Sequence, residues 1–97
     1  MTEQQPVVPQ NKIQVRDNFV GGEYANAMQA SHSKEDFLLT FMNIVAPTGR
    51  VVGKIIVSPG HMKRIVAALE ENVKRYEAQF GKIEAAESPK GEIGFQG

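Results

Sequence analysis

The densest group of potentially reactive side chains surrounds the first histidine. His32, Ser33, Glu35 and Asp36 fall within five consecutive positions, and a serine, a histidine and a carboxylate are the ingredients of nucleophilic catalysis. Members of such triads usually come from distant parts of a chain. Polar residues that are adjacent in sequence more simply satisfy the backbone of a loop. We therefore interpret the cluster as a hairpin loop and predict that the protein is not an enzyme.

The two histidines, His32 and His61, are also potential metal ligands, with Asp36 or Glu35 completing a set. The chain has no cysteine and no third histidine, and neither an HxxxH nor an HxH spacing occurs. Phosphate-binding patterns such as G-x-x-x-x-G-K-[ST] and G-x-G-x-x-G are absent as well. We predict no metal and no cofactor, an expectation that would change if the two histidines converged in space.

Basic residues near a predicted helix start offer a third chemistry. Lys63 and Arg64 follow Pro59-Gly60-His61, and helix N-termini attract phosphates. Glutamates interleave with the basic residues along the same segment, which is more typical of a solvated face. Nucleic-acid binding is therefore the alternative function, not the favoured one. The candidate interaction residues are His32, Asp36, His61, Lys63 and Arg64.

Length and composition place these residues in one small domain. The chain has 97 residues, 11 basic against 11 acidic residues and no net charge, so no global field attracts nucleic acid or an anionic membrane. Residues 1–11 are predicted to be a flexible arm, 12–83 a single domain, and 84–97 a flexible tail with Ile93 and Phe95 as its apolar side chains. No stretch resembles a signal peptide or a membrane span, so we expect a cytoplasmic protein.

Apolar alternation predicts a short antiparallel sheet. Residues 12–16 are expected to form an edge strand, and residues 23–32 a second strand, although their alanines would also suit a helix. Residues 36–46 offer apolar groups to both faces. In residues 50–57, Val51, Ile55 and Val57 are expected to lie opposite Val52 and Ile56. Pro47-Thr48-Gly49 should connect these last two strands.

A long amphipathic helix should follow the sheet. Ser58-Pro59 is typical of a helix start and Gly81 of a helix end. The apolar residues between them recur at spacings of three and four. This helix stripe comprises Met62, Ile65, Val66, Leu69, Val73, Tyr76 and Phe80. The fold class is thus α+β, a meander of three to four strands followed by one C-terminal helix.

One helix can cover only one side of a sheet whose middle strand is apolar on both sides. A homodimer is the economical solution. We therefore expect a non-enzymatic, homo-oligomeric binding or adaptor module that meets an unidentified protein partner.

Several short motifs resemble a known family. They are Tyr24-Ala25-Asn26, His32-Ser33, Ser58-Pro59-Gly60-His61 and the pattern of the C-terminal helix. Together they resemble a short bacterial and archaeal domain family of unknown function, over about residues 12–83. The resemblance implies no substrate, cofactor or catalytic residue. Many relatives have an aspartate before the aromatic of the second long strand, where this chain has Thr40-Phe41.

Overall fold

The computed structural model describes residues 11–95 and contains one sheet and one helix. The elements in chain order are β1 (Ala27–His32), β2 (Phe37–Val45), β3 (Thr48–Val57) and α1 (Pro59–Phe80). The strands lie in the order β1-β2-β3, and both pairings are antiparallel. The predicted α+β class, a meander followed by a single C-terminal helix, is confirmed. The predicted arm lies outside the described residues except for its last position.

The predicted edge strand at residues 12–16 is wrong. Among the described residues this segment pairs with nothing, and Ile13 and Val15 are 89% and 82% exposed. Two alternating apolar residues match the period of a strand, but a strand also needs a hydrogen-bonded neighbour and a covered face. Of the predicted strand at residues 23–32, the part from Ala27 to His32 does form a strand and not a helix, whereas residues 23–26 are in neither.

Cross-strand pairing fixes which side chains share a face of the sheet. Phe41 of β2 pairs with Met28 of β1, and Leu39 pairs with Ala30. Since directly paired residues point to the same side, these four lie on one face. The alternation predicted for β2 is confirmed by the register.

A β-bulge corrects the predicted alternation in β3. Phe41 pairs with Gly53, whereas the next residue, Met42, pairs with Val51, so Val52 is an extra, unpaired residue. An inserted residue reverses the alternation beyond it. Val51 therefore lies on the face of Ile56 and not, as expected, on that of Ile55. In addition, β3 begins at Thr48, because the β2–β3 connection is only Ala46 and a cis Pro47.

Local hydrogen bonds explain both ends of α1. Ser58 is the N-cap, and its hydroxyl accepts a hydrogen bond of 3.1 Å from the His61 backbone N–H, with Pro59 in the first turn. At the other end Gly81 has φ 99°, a conformation that favours glycine, and its N–H donates to the Glu77 carbonyl at 2.9 Å. The predicted helix is confirmed from the proline to the glycine.

The buried core of the described residues is small and lies entirely in the sheet. It consists of Leu39, Met42 and Val57 with the polar Thr40, whereas α1 has no buried residue. No helix in this part of the chain is long and apolar enough to cross a membrane. The architecture is therefore a three-stranded sheet from which a largely uncovered helix extends.

The Ser58 cap generates a first prediction. Ser58→Ala removes the acceptor for the His61 N–H and should lower the free energy of unfolding by about 1 kcal/mol. Urea denaturation followed by circular dichroism measures this change. Ser88→Ala, which changes an exposed serine outside the helix, is the control and should have almost no effect. Equal stability of the two variants would contradict the capping role.

Candidate functional site

The polar cluster that follows β1 forms the loop that leads into β2. The Ser33 hydroxyl accepts hydrogen bonds from the backbone N–H groups of Glu35 and Asp36, at 3.1 and 3.3 Å. The Ser33 N–H donates to the Asp36 carbonyl at 2.9 Å, which closes the turn. The His32 ring lies beside Phe37, with 5.4 Å between ring centroids. The serine and aspartate thus serve the loop backbone, as the sequence indicated.

The two histidines belong to different elements. His32 ends β1, whereas His61 lies in the first turn of α1, which follows β3. Because β2 separates β1 from β3, the ends of these strands lie about 10 Å apart. No three His, Asp or Glu side chains among residues 11–95 are grouped so that they could hold a metal ion.

The first turn of α1 gathers the other candidate residues. The Arg64 guanidinium lies 2.9 Å from Nδ1 of His61, so these two side chains contact each other. Lys63 is exposed beside them. A single helix N-terminus with one free lysine does not define a nucleic-acid interface, so nucleic-acid binding stays a prediction.

The most prominent surface is the helix stripe. Met62 and Ile65, nearest to the sheet, are half-buried, but the five residues beyond them are 46–66% exposed. The rings of Tyr76 and Phe80 lie beside each other, with 5.0 Å between centroids. An exposed apolar surface of this extent on a small protein is a candidate interaction surface. The sequence identified the stripe but expected the protein's own sheet to cover it.

A second concave surface lies at the β2–β3 turn. An open cavity of about 600 Å³ lies between this hairpin and the segment of residues 89–95. Met42 and Val51 line it from the sheet, and Ile93 and Phe95 line it from the C-terminal side. Sequence reasoning missed this cavity. The sequence feature that pointed to this cavity was the pair Ile93 and Phe95, the apolar side chains of the predicted C-terminal tail.

Asn26 supports the hairpin from the start of β1. Its side-chain amide donates to the Ile44 carbonyl and accepts from the Ile44 N–H, both at 2.8 Å. Its own N–H donates to the Met42 carbonyl at 3.0 Å. The side chain thus extends the β1–β2 ladder by acting as a peptide group. The Tyr24-Ala25-Asn26 motif contained this residue, but its type alone did not reveal the role.

Comparison with known proteins places these features in a family. The family described as "Protein of unknown function (DUF3467)" matches residues 1–85 of the chain. The protein belongs to this family. No curated protein matches the chain, and no solved structure matches it. Membership in DUF3467 confirms the resemblance seen in the sequence and, like it, supplies no activity.

The double hydrogen bond of Asn26 generates a second prediction. Asn26→Ala leaves both Ile44 backbone groups without their partner and should lower the free energy of unfolding by about 1–2 kcal/mol. Asn26→Asp should also destabilise the protein, because a carboxylate then faces the Ile44 carbonyl. Urea denaturation at one fixed protein concentration measures both changes.

Asn18→Ala is the matched control, because Asn18 is an exposed asparagine outside the sheet. Its effect should stay within about 0.5 kcal/mol. If Asn26→Ala were as stable as this control, the proposed role of the Asn26 amide would be wrong.

Proposed function

We propose that the protein is a non-enzymatic, homodimeric interaction module. The observation that carries the proposal is the uncovered helix stripe. In a folded monomer an amphipathic helix turns its apolar side to the core, yet Leu69 and Phe80 are 61% and 66% exposed. A second copy of the chain could cover this stripe, because it is present wherever the protein is. Two-fold homodimers are also the commonest assemblies of soluble proteins.

The total exposed surface supports the same conclusion. The chain exposes 9600 Å², whereas a compact folded monomer of 10.7 kDa would expose about 5500 Å². Segments outside the sheet and helix, such as residues 11–26, contribute part of the excess. A standard interface needs only about 800 Å² from each partner, so the chain has ample surface for one.

The adaptor role concerns the surfaces that helix-mediated dimerisation leaves free. β1 and β3 form the two edges of the sheet, and edge strands can pair with an extended segment of another protein. The cavity at the β2–β3 turn lies beside the start of β3. We propose that a protein partner binds at this end of the sheet.

The proposal predicts a dimer in solution. Light scattering should give twice the 10.7 kDa mass of one chain. The melting temperature should rise with protein concentration, because association stabilises only the folded state. A monomer at micromolar concentration whose melting temperature does not depend on concentration would contradict the proposal.

The same measurement on protein purified from its own host without nuclease tests the partner. A co-purified protein and a protein-like ratio of absorbance at 260 and 280 nm support the adaptor role. A raised absorbance at 260 nm that nuclease removes would instead favour the nucleic-acid alternative.

A further inference from the structure

Six of the seven residues of the helix stripe form three layers, and all of them except the half-buried Met62 are exposed. Each layer holds two side chains four residues apart, which are neighbours on one helix face. The layers repeat every seven residues, so they form two continuous rows along α1. The three layers are Met62 with Val66, Leu69 with Val73, and Tyr76 with Phe80.

These layers are symmetric about position 71. Met62 and Phe80 are equally distant from it in sequence, as are Val66 and Tyr76, and so are Leu69 and Val73. A two-fold axis makes each contact occur twice, with residue i against j and j against i. An antiparallel second copy centred on position 71 therefore sets Tyr76 against the smaller Val66 of the second copy. The other two pairs are Leu69 with Val73 and Met62 with Phe80.

The two edges of the stripe differ in charge. Along one edge lie Lys63, Glu70, Lys74 and Glu77. Along the other lie the neutral residues Ala68, Asn72 and Gln79. A two-fold axis perpendicular to two antiparallel helices keeps both charged edges on the same side, whereas a parallel pair would set a charged edge against a neutral one. In the antiparallel pair Lys63 lies within one turn of Glu77 of the second copy. Glu70 lies within one turn of Lys74 of the second copy and also of its Glu70, so the contacts between opposite charges outnumber the single contact between like charges.

The position of the sheet agrees with this arrangement. Ile65 lies toward the neutral edge and is half-buried, so the neutral edge turns toward the sheet. The Asn72 amide is held on that side by a hydrogen bond of 3.3 Å to the Ala68 carbonyl of its own helix. On the charged edge Lys63, Glu70 and Lys74 are exposed, and ion pairs there carry little desolvation cost. Glu77 is half-buried, and its carboxylate accepts a hydrogen bond of 2.9 Å from the Ile83 N–H.

We propose that α1 is the dimer interface and that two copies pair their helices antiparallel, with the two-fold axis on the stripe side of the helix at the level of residue 71. The proposal rests on the proposed homodimer and specifies its partner surface. The apolar layers supply the affinity, and the charged edge selects the antiparallel orientation over the parallel one.

The charged edge provides a mixing test. Glu70→Lys and Lys74→Glu each place like charges opposite one another in their own homodimers, whereas the mixed dimer restores opposite charges. Native mass spectrometry of an equimolar mixture should therefore show the mixed dimer at more than its statistical share of one half. A mixed-dimer share of one half would overturn the assigned orientation.

The matched control for this mixture lies on the opposite side of the same helix. Glu71 and Arg75 form an exposed ion pair one turn apart, like Glu70 and Lys74 in spacing. Glu71→Lys mixed with Arg75→Glu should give the statistical share, because these positions do not face the second copy. Preferential mixing in this control as well would contradict the proposed interface.

Distances between labelled helices test the geometry directly. The chain has no cysteine, so Arg64→Cys, Glu71→Cys and Ala78→Cys each add a single spin-label site on the side of α1 away from the stripe. For helix axes 8–10 Å apart, double electron–electron resonance should give about 20 Å between the two labels at position 71. The labels at positions 64 and 78 should both lie about 29 Å apart, because each pair is offset by about 21 Å along the axis.

The outcomes separate the two proposals. A minimum at position 71 with equal, longer distances on both sides supports the antiparallel pair. Equal distances at all three positions indicate a parallel pair and overturn it. Any other pattern in a protein of dimeric mass means that a different surface mediates dimerisation, which overturns this inference but not the homodimer. A monomer would overturn both.

Discussion

Coverage of apolar surface is the constraint on which the rest of the structure depends. The middle strand of the sheet and one side of α1 are apolar, and both need other apolar groups to shield them from water. Within one chain the sheet and the helix shield each other only near the first turn of α1. Beyond Ile65 the helix leaves the sheet, and the apolar residues of its stripe are 46–66% exposed. A core of three apolar residues is small even for a domain of this size, because small chains gain little burial. Folding and association are therefore expected to be linked.

The polar residues that first suggested chemistry have structural partners. Ser33 closes the loop before β2, Ser58 caps α1, and Asn26 bridges to the backbone of Ile44. Each satisfies backbone groups that the sheet or helix leaves without a partner. The Ser33 hydroxyl in turn donates a hydrogen bond of 3.3 Å to the Asp36 carboxylate within the same loop. Polar side chains that bond to the backbone, together with apolar side chains on the surface, support the proposed binding role.

Much of the fold could be predicted because the signals were local. The proline and serine before α1, the glycine after it and the apolar spacing between them depend on neighbouring residues, and the structure confirms all of them. The alternation in β2 was equally local. Errors arose where a distant partner decides the outcome. Residues 12–16 had the period of a strand but have no neighbouring strand to pair with in the described part of the chain. Val52 fits the apolar alternation of its own strand, yet it is the extra residue of the bulge and pairs with no residue of β2.

The candidate site shows the same division between local and long-range information. The helix stripe was evident from its spacing, but its exposure was not, because exposure depends on where the helix leaves the sheet. The cavity at the β2–β3 turn joins segments about forty residues apart in sequence, a contact that no local pattern encodes. The symmetry of the helix layers about position 71, in contrast, can be read from the sequence alone. Any apolar stripe with spacings of four and three that repeats every seven residues has this symmetry, including one that packs on its own sheet. The symmetry therefore bears on dimerisation only because the structure leaves the helix uncovered, and the charged edge must decide between the two orientations.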